Sequence, residues 1–251
     1  MSAALRTTVF YFFNDMALIK KLKNIYLSFK KRETAQIVNR NYQKMPITRC
    51  GSQTGGFDIV MPNNINQQFD GVVMSFGIGE DLSFSEDLNQ LLHPTIYAFD
   101  PTPRSVEYVH KHKLSQDSKF KFFDIGISNC DEEAEFHLPV NDAYVSGSME
   151  NYSGVRKDSI KVKMKSFATI CRELNITKVD ILKMDIEGSE FKVVPDIINC
   201  GIEVTQFCIE THERFFNDKQ EKIAALLNLL YSHGYKCVSK DYVESVYTFL
   251  H

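Results

Sequence analysis

The sequence predicts an α/β protein with a mostly parallel sheet, helices on both faces and an antiparallel C-terminal hairpin. Three observations predict it. From residue 70 onward, short β-branched apolar runs alternate with amphipathic segments at helical spacing, the pattern of repeated strand–helix units. Three of these runs stop abruptly at glycines or acids: 72–76 leads into Gly77-Ile-Gly79-Glu80-Asp81, 95–99 into Asp100, and 179–184 into Asp185-Ile-Glu187-Gly-Ser-Glu190. The last two runs, 235–240 and 243–250, are joined by a tight turn, as antiparallel neighbours require.

Taken in order, residues 1–69 read as an N-terminal helical extension and lead-in loop, and 70–251 as the principal domain. In the extension, Leu18, Leu22, Ile25 and Phe29 recur at helical spacing, and Lys20, Lys21, Lys23, Lys30, Lys31 and Arg32 flank them with no acid between residues 16 and 32. Such a segment fits peripheral contact with a membrane surface. It equally fits a helix packed on the edge of the main domain. Residues 43–66, rich in Gly, Asn, Gln, Pro and Thr, read as a loop. After the strand at 72–76, Ser83-Phe-Ser-Glu86 offers a capping box for a helix carrying Leu88, Leu91 and Leu92. The strand at 95–99 is followed by Pro101-Thr-Pro103, which delays the next helix until Thr102 caps it with Pro103 as its first residue.

A third strand is expected over 120–127, ending at Gly126, then a short one over 134–138 and a long loop over 141–154. Ile160, Val162 and Met164 alternate with lysines as in an edge strand, and Ser166 caps a helix running to Leu174. The acidic strand follows, then a helix over 189–198 and a strand over 204–210 that ends in Glu210-Thr-His212. Residues 219–233 form the clearest amphipathic helix, with Ile223, Leu226, Leu227 and Leu230 on one stripe and Gly234 as its stop.

Composition narrows the function. With 251 residues, 43% of them hydrophobic, the chain can bury one large core. A net charge of -3 argues against a nucleic-acid partner, which calls for a basic face. The six cysteines, Cys50, Cys130, Cys171, Cys200, Cys208 and Cys237, include no C-x-x-C pair, so they read as reduced thiols of a cytoplasmic protein. No apolar run is long enough to span a bilayer, and the N-terminus lacks the pattern of a cleaved signal peptide.

The three run-ends carry the chemistry. In open α/β sheets, ligands bind outside the carboxyl ends of the strands. Gly77 and Gly79 allow close backbone approach, and Asp100, 21 positions after Gly79, is placed to take both hydroxyls of a ribose. A dinucleotide fingerprint needs a third glycine where this chain has Leu82, and Glu80 and Asp81 would repel a pyrophosphate. S-adenosylmethionine, with a sulfonium, an ammonium and no phosphate, suits that charge better.

Together Phe76-Gly-Ile-Gly-Glu-Asp81, Phe99-Asp-Pro-Thr-Pro103 and Asp180-Ile-Leu-Lys-Met-Asp-Ile-Glu-Gly-Ser-Glu190 resemble the FkbM-type methyltransferases, with similarity from residue 72 to the C-terminus. The resemblance implies a class I methyltransferase (Rossmann-like) fold with a seven-stranded sheet, S-adenosylmethionine as cofactor, and methyl transfer to a hydroxyl of a sugar, glycan or related small molecule. By the same resemblance Gly77 and Gly79 wrap the methionine part and Asp100 holds the ribose. Glu80 and Asp81 flank the ammonium, Asp124 and Gly126 lie at the adenine, and Ser148 belongs to a loop over the cofactor.

An alcohol attacks well only as its proton leaves, so a base is expected near the methyl group. Asp185 and Glu187 at one strand end, and Glu210 and His212 at the next, are the candidates, His212 being the best matched to neutral pH by type. The same four could bind a divalent metal, which the spacing does not require. Glu190, on the first turn of a helix, has a simpler reading as a complement to the helix dipole. Two other functions stay open: an NAD- or nucleotide-sugar-linked enzyme, and a non-catalytic scaffold.

Overall fold

The structure, a computed structural model, describes residues 34–62, 69–139, 155–242 and 245–251. The chain divides into two compact units, Met1–Arg40 and Asn41–His251. Of the first, residues 34–40 are helical. The basic segment 16–32 and Ser148 lie outside the described residues.

The second unit opens with a short antiparallel hairpin, β1 (Thr48–Cys50) and β2 (Phe57–Ile59), inside the stretch expected to be a loop. Its polar tip disguises its role: Cys50, Phe57 and Ile59 are buried in the main core. β3 (Val72–Phe76) leads through the glycine turn to α1 (Ser83–Leu92), β4 (Thr95–Phe99) to α2 (Pro103–Lys111), and β5 (Phe120–Phe123) completes this half. There follow β6 (Gly126–Ser128), β7 (Glu132–Pro139), β8 (Val155–Ser166), α3 (Phe167–Leu174), β9 (Lys178–Met184) and α4 (Glu190–Asn199). β10 (Glu203–Glu210), α5 (Lys219–Ser232), β11 (Lys236–Asp241) and β12 (Val246–Leu250) close the chain.

The main sheet has seven strands in the order β11-β12-β10-β9-β3-β4-β5. All neighbours are parallel except β12, which runs antiparallel to both β10 and β11. The strand order reverses between β3 and β9, so the crevice of a doubly wound sheet falls at the ends of those two strands. Val73, Ile96, Ala98, Ile181 and Cys208 face one layer, with Leu82, Phe84, Leu88 and Val109 of the α1–α2 region and the β1–β2 hairpin. By pleat alternation Met74, Leu182, Met184, Phe207 and Ile209, all buried, face the side left for α3, α4 and α5.

Three local expectations change. The expected strand over 120–127 is two strands, because the chain leaves the main sheet after Phe123 and Gly126 starts a separate three-stranded sheet of order β6-β8-β7. β8 is the centre of that sheet and not an edge; its alternation separates Val162 and Met164, which pack with Ala134 and Phe136, from lysines that face out. Ser83 does not cap α1: its amide donates to Asp81 Oδ1 at 2.8 Å, and its hydroxyl accepts from the Ser52 amide at 2.7 Å. Ser166 does cap α3, accepting from the Thr169 amide at 3.3 Å. Cys50, Cys171, Cys208 and Cys237 are free, buried thiols, which burial pushes up to about 11 for Cys50 and about 12 for the others.

Candidate active site

At the end of β3 the chain turns through Gly77 and Gly79, with φ of 77° and 56°, left-handed values that favour glycine. The turn is fastened on both sides. Gly77 N–H donates to the Phe99 carbonyl at 3.0 Å, and Asp185 N–H donates to the Phe76 carbonyl at 3.1 Å. From beneath, the buried ammonium of Lys183 donates to the Gly77 carbonyl and stands 3.7 Å from Asp185 Oδ2. Asp100 is the pin. Its Oδ2 accepts from the amides of Ile78 and Gly79, both at 2.9 Å, and its Oδ1 accepts from the Thr102 amide at 2.9 Å and hydroxyl at 2.6 Å. These four donors fill the acceptor positions of one carboxylate, so Asp100 fixes the turn and the start of α2 together.

Above the pin lies an open cleft with a volume of about 190 Å³. Its floor is aromatic: Phe76 stacks on Phe99 at 4.6 Å and Phe99 on Phe123 at 5.2 Å, the three being register partners on β3, β4 and β5. The small sheet supplies an apolar wall of Ile127, Phe136 and Met164, with Gly126 beneath. A side chain at 126 would intrude there, since a Cβ would lie 2.7 Å from Met164 Cε. Opposite stand Thr54 and Gly55 from the tip of the hairpin. Ser52 ties that tip to the glycine turn, donating to Asp81 Oδ2 at 2.6 Å while accepting from the Gly55 amide at 2.8 Å. Burial pushes the Asp81 carboxyl up, but the hydrogen bonds from Ser52 and Ser83 outweigh it and hold it below 3.8.

The polar end of the cleft is built by β9, β10 and α4. Glu187 has φ of 51°, a conformation that costs a residue with a Cβ about 1–2 kcal/mol, and Gly188 follows at 104°. That reversal brings Asp185 and Glu187 against His212. The His212 ring is 1% exposed; its Nδ1 lies 2.6 Å from Glu190 Oε1, and its Nε2 faces Glu187 Oε2 at 3.3 Å, Glu210 Oε1 at 3.5 Å and Asp185 Oδ1 at 3.7 Å. Burial opposes a charge on the imidazole, but the charge and hydrogen bond of Glu190, with the charges of Glu187 and Asp185, raise it to about 9. Burial and repulsion from Asp185 raise Glu210 to about 7.

Of the expected residues, Gly77, Gly79, Glu80, Asp81, Asp100, Gly126, Asp185 and Glu187 line the cleft, and His212 and Glu210 stand behind the last two. Asp100, expected to take ribose hydroxyls, has its acceptor positions occupied by protein donors and serves here as the pin of the turn. Glu80 is paired with Arg104 at 2.7 Å. Asp124 is exposed and does not line the cleft. Glu190 is not at a helix surface: it is fully buried and holds His212. Sequence reasoning missed Lys183, whose signal was a lysine at an inward position of an otherwise buried strand. It also missed the hairpin tip, for which the sequence carries no comparable mark.

The strand order with its antiparallel seventh strand, the glycine turn after β3 and the acid after β4 define a class I methyltransferase fold. The sequence profile of the family described as Methyltransferase FkbM domain matches residues 62–237. The chain belongs to this family of methyltransferases. No curated protein sequence matches it. Among solved structures it is similar to the fibrillarin pre-rRNA processing protein of Methanococcus jannaschii, with 13% identity, a TM-score of 0.44, and 76% of this chain and 69% of that one covered. It is also similar to Aeropyrum pernix fibrillarin in complex with natively bound S-adenosyl-L-methionine, with 12% identity, a TM-score of 0.41, and 73% and 66% covered. A third is precorrin-6y C5,15-methyltransferase from Geobacter metallireducens, with 12% identity, a TM-score of 0.37, and 74% and 81% covered. Among the described residues, no helix is long and apolar enough to cross a membrane.

Proposed function

We propose that this chain is an S-adenosylmethionine-dependent O-methyltransferase acting on a hydroxyl of a saccharide or related small molecule. The observation that carries the reading is the charge of the cleft. Glu80, Asp81, Asp100, Asp185 and Glu187 line it together with aromatic and aliphatic side chains; Arg104 pairs with Glu80 and Lys183 stands beside Asp185, but among the described residues no lysine or arginine lines the cleft itself. That lining suits a ligand with an adenine, a ribose and two positive charges, and it opposes a pyrophosphate. It therefore disfavours an NAD-linked enzyme. The intact pin at Asp100 and the glycine turn also speak against a scaffold that has lost its site.

When bound, S-adenosylmethionine supplies a methyl group on a sulfonium, open to in-line displacement by an oxygen. Ile127, Phe136 and Met164 would hold the adenine against the aromatic floor, and the backbone of Gly77 and Gly79 would admit the methionine part. Glu80 would face its ammonium. Asp185 and Glu187, where the cleft meets the β9–β10 ends, would accept hydrogen bonds from an acceptor hydroxyl and take its proton, in preference to His212, whose buried ring lies behind them and does not line the cleft. Holding the two reactants in line would supply much of the acceleration.

Calorimetric titration with S-adenosylmethionine and with NAD tests the cofactor assignment; heat for NAD alone would overturn it. A mass-spectrometric screen for a gain of about 14 daltons, one methyl replacing one hydrogen, across glycans, lipid-linked sugars and small alcohols tests the acceptor class. Methylation confined to nitrogen or carbon acceptors would refute O-methylation.

A further inference from the structure

We infer that Asp185, Glu187 and His212, with Glu210 beside them, form a binding site for one divalent metal ion of the manganese or zinc type. The inference deepens the proposed function by placing an ion on the acceptor side of the same cleft, and only the ion's role rests on that function. The ligand set comes first. One imidazole nitrogen and carboxylate oxygens of Asp185 and Glu187 lie within 4.8 Å of one another, delivered by the adjacent ends of β9 and β10. Metal bonds of about 2.1 Å put neighbouring ligand atoms about 3.0–3.4 Å apart in octahedral or tetrahedral geometry. The gaps from His212 Nε2, 3.3 Å to Glu187, 3.5 Å to Glu210 and 3.7 Å to Asp185, need close by only a few tenths of an ångström.

A cluster of acids would not by itself make a site, and here a second observation points to a ligand. A metal-binding histidine almost always gives its other ring N–H to a carboxylate or carbonyl, which fixes the tautomer and aims the free nitrogen. Glu190 does this for His212, at 2.6 Å, from a position with 0% exposure. The other oxygen of Glu190 is buried without a hydrogen-bond partner, so this carboxylate is committed to holding the ring. With Nδ1 so occupied, the Nε2 of the buried ring is directed into the acids.

Mixed nitrogen and oxygen donors favour a first-row ion over calcium. Access is through the cleft, which Asp185 and Glu187 line. An ion there would bind the oxygen of an acceptor and lower its pKa, leaving only carboxylate oxygens not bound to the ion to receive the proton.

The test reads binding without turnover. Full-length protein freed of metal with EDTA is titrated with Mn²⁺, followed by the paramagnetic resonance of the free ion, and with Zn²⁺ by calorimetry. Saturable uptake of one ion per chain is expected. His212→Gln and Glu187→Gln should each weaken it at least about 10-fold, and Glu190→Gln about 10- to 100-fold through loss of ring orientation. S-adenosylmethionine affinity, measured alongside on the metal-free protein, should stay within about threefold in His212→Gln and Glu190→Gln, since neither residue lines the cleft. Should His212→Gln fail to fold by circular dichroism, the isosteric Glu187→Gln carries the test. No saturable uptake of either ion by folded protein overturns the inference, as does uptake that both variants leave unchanged. Ion binding without any affinity for S-adenosylmethionine would instead sink the proposed function and leave the metal site standing.

Discussion

Replacing Gly77 by alanine probes the junction of fold and site. The residue has φ of 77°, and a Cβ there would overlap the Asp185 carbonyl oxygen and lie 2.8 Å from its carbonyl carbon. Two costs add. A left-handed alanine costs about 1–2 kcal/mol, and relieving the overlap by parting β3 from β9 costs about 1–3 kcal/mol, as overpacking does. The parting also threatens the Asp185–Phe76 backbone bond of 3.1 Å, worth about 1 kcal/mol. With the backbone bond included the total is about 3–6 kcal/mol, a large part of a typical domain's stability. Gly201 is the control, since it has φ of 80° but nothing within 4 Å of a built Cβ. Gly201→Ala should cost only about 1 kcal/mol. Urea unfolding followed by circular dichroism measures both, and calorimetry on folded protein reads cofactor affinity, which should fall at least about 10-fold in Gly77→Ala alone. Equal destabilisation of the two variants, or an unchanged affinity in Gly77→Ala, would refute the close-approach argument.

Other consequences follow from the same contacts. Asp100→Asn exchanges an acceptor oxygen for a donor against four protein donors, so it should cost about 3 kcal/mol in urea unfolding and weaken S-adenosylmethionine at least about 10-fold; a variant of wild-type stability would show that the pin is dispensable. Because the folded-state pKa of Asp81 lies below 3.8, its contribution is present above about pH 4 and is lost as pH falls through the folded value. Ser52→Ala should therefore cost about 1 kcal/mol at pH 7 and flatten the acid limb of stability against pH, and a parallel pair of curves would contradict this. For residues 16–32, liposome flotation of the full chain and of a chain lacking residues 1–32 should differ on anionic vesicles; equal flotation removes membrane contact.

What the sequence revealed follows physical scale. Strand ends at Phe76, Phe99 and Met184 were legible because an apolar run suited to a buried strand cannot carry glycines or carboxylates further into the core, so the chain must leave the sheet there. The acids and His212 were legible as candidates by residue type. Their mutual arrangement was not, because it depends on Glu187 adopting φ of 51° and on a contact from Glu190 to His212 across 22 positions. The Ser83 capping box misled because Asp81 and Ser52, the latter 31 positions away, captured the groups a local cap would use. The hairpin at Thr48–Cys50 and Phe57–Ile59 hid behind glycines and polar residues, its strands too short to show a period. Lys183 alternates correctly for a buried strand, and only the structure shows that its ammonium reaches Gly77.

The most direct test is a crystal structure of the chain soaked with S-adenosylhomocysteine. We expect the adenine against Ile127, Phe136 and Met164, the homocysteine over Gly77 and Gly79, and the sulfur turned toward Asp185 and Glu187. A ligand outside this cleft, or a sulfur pointing away from those carboxylates, would contradict the account.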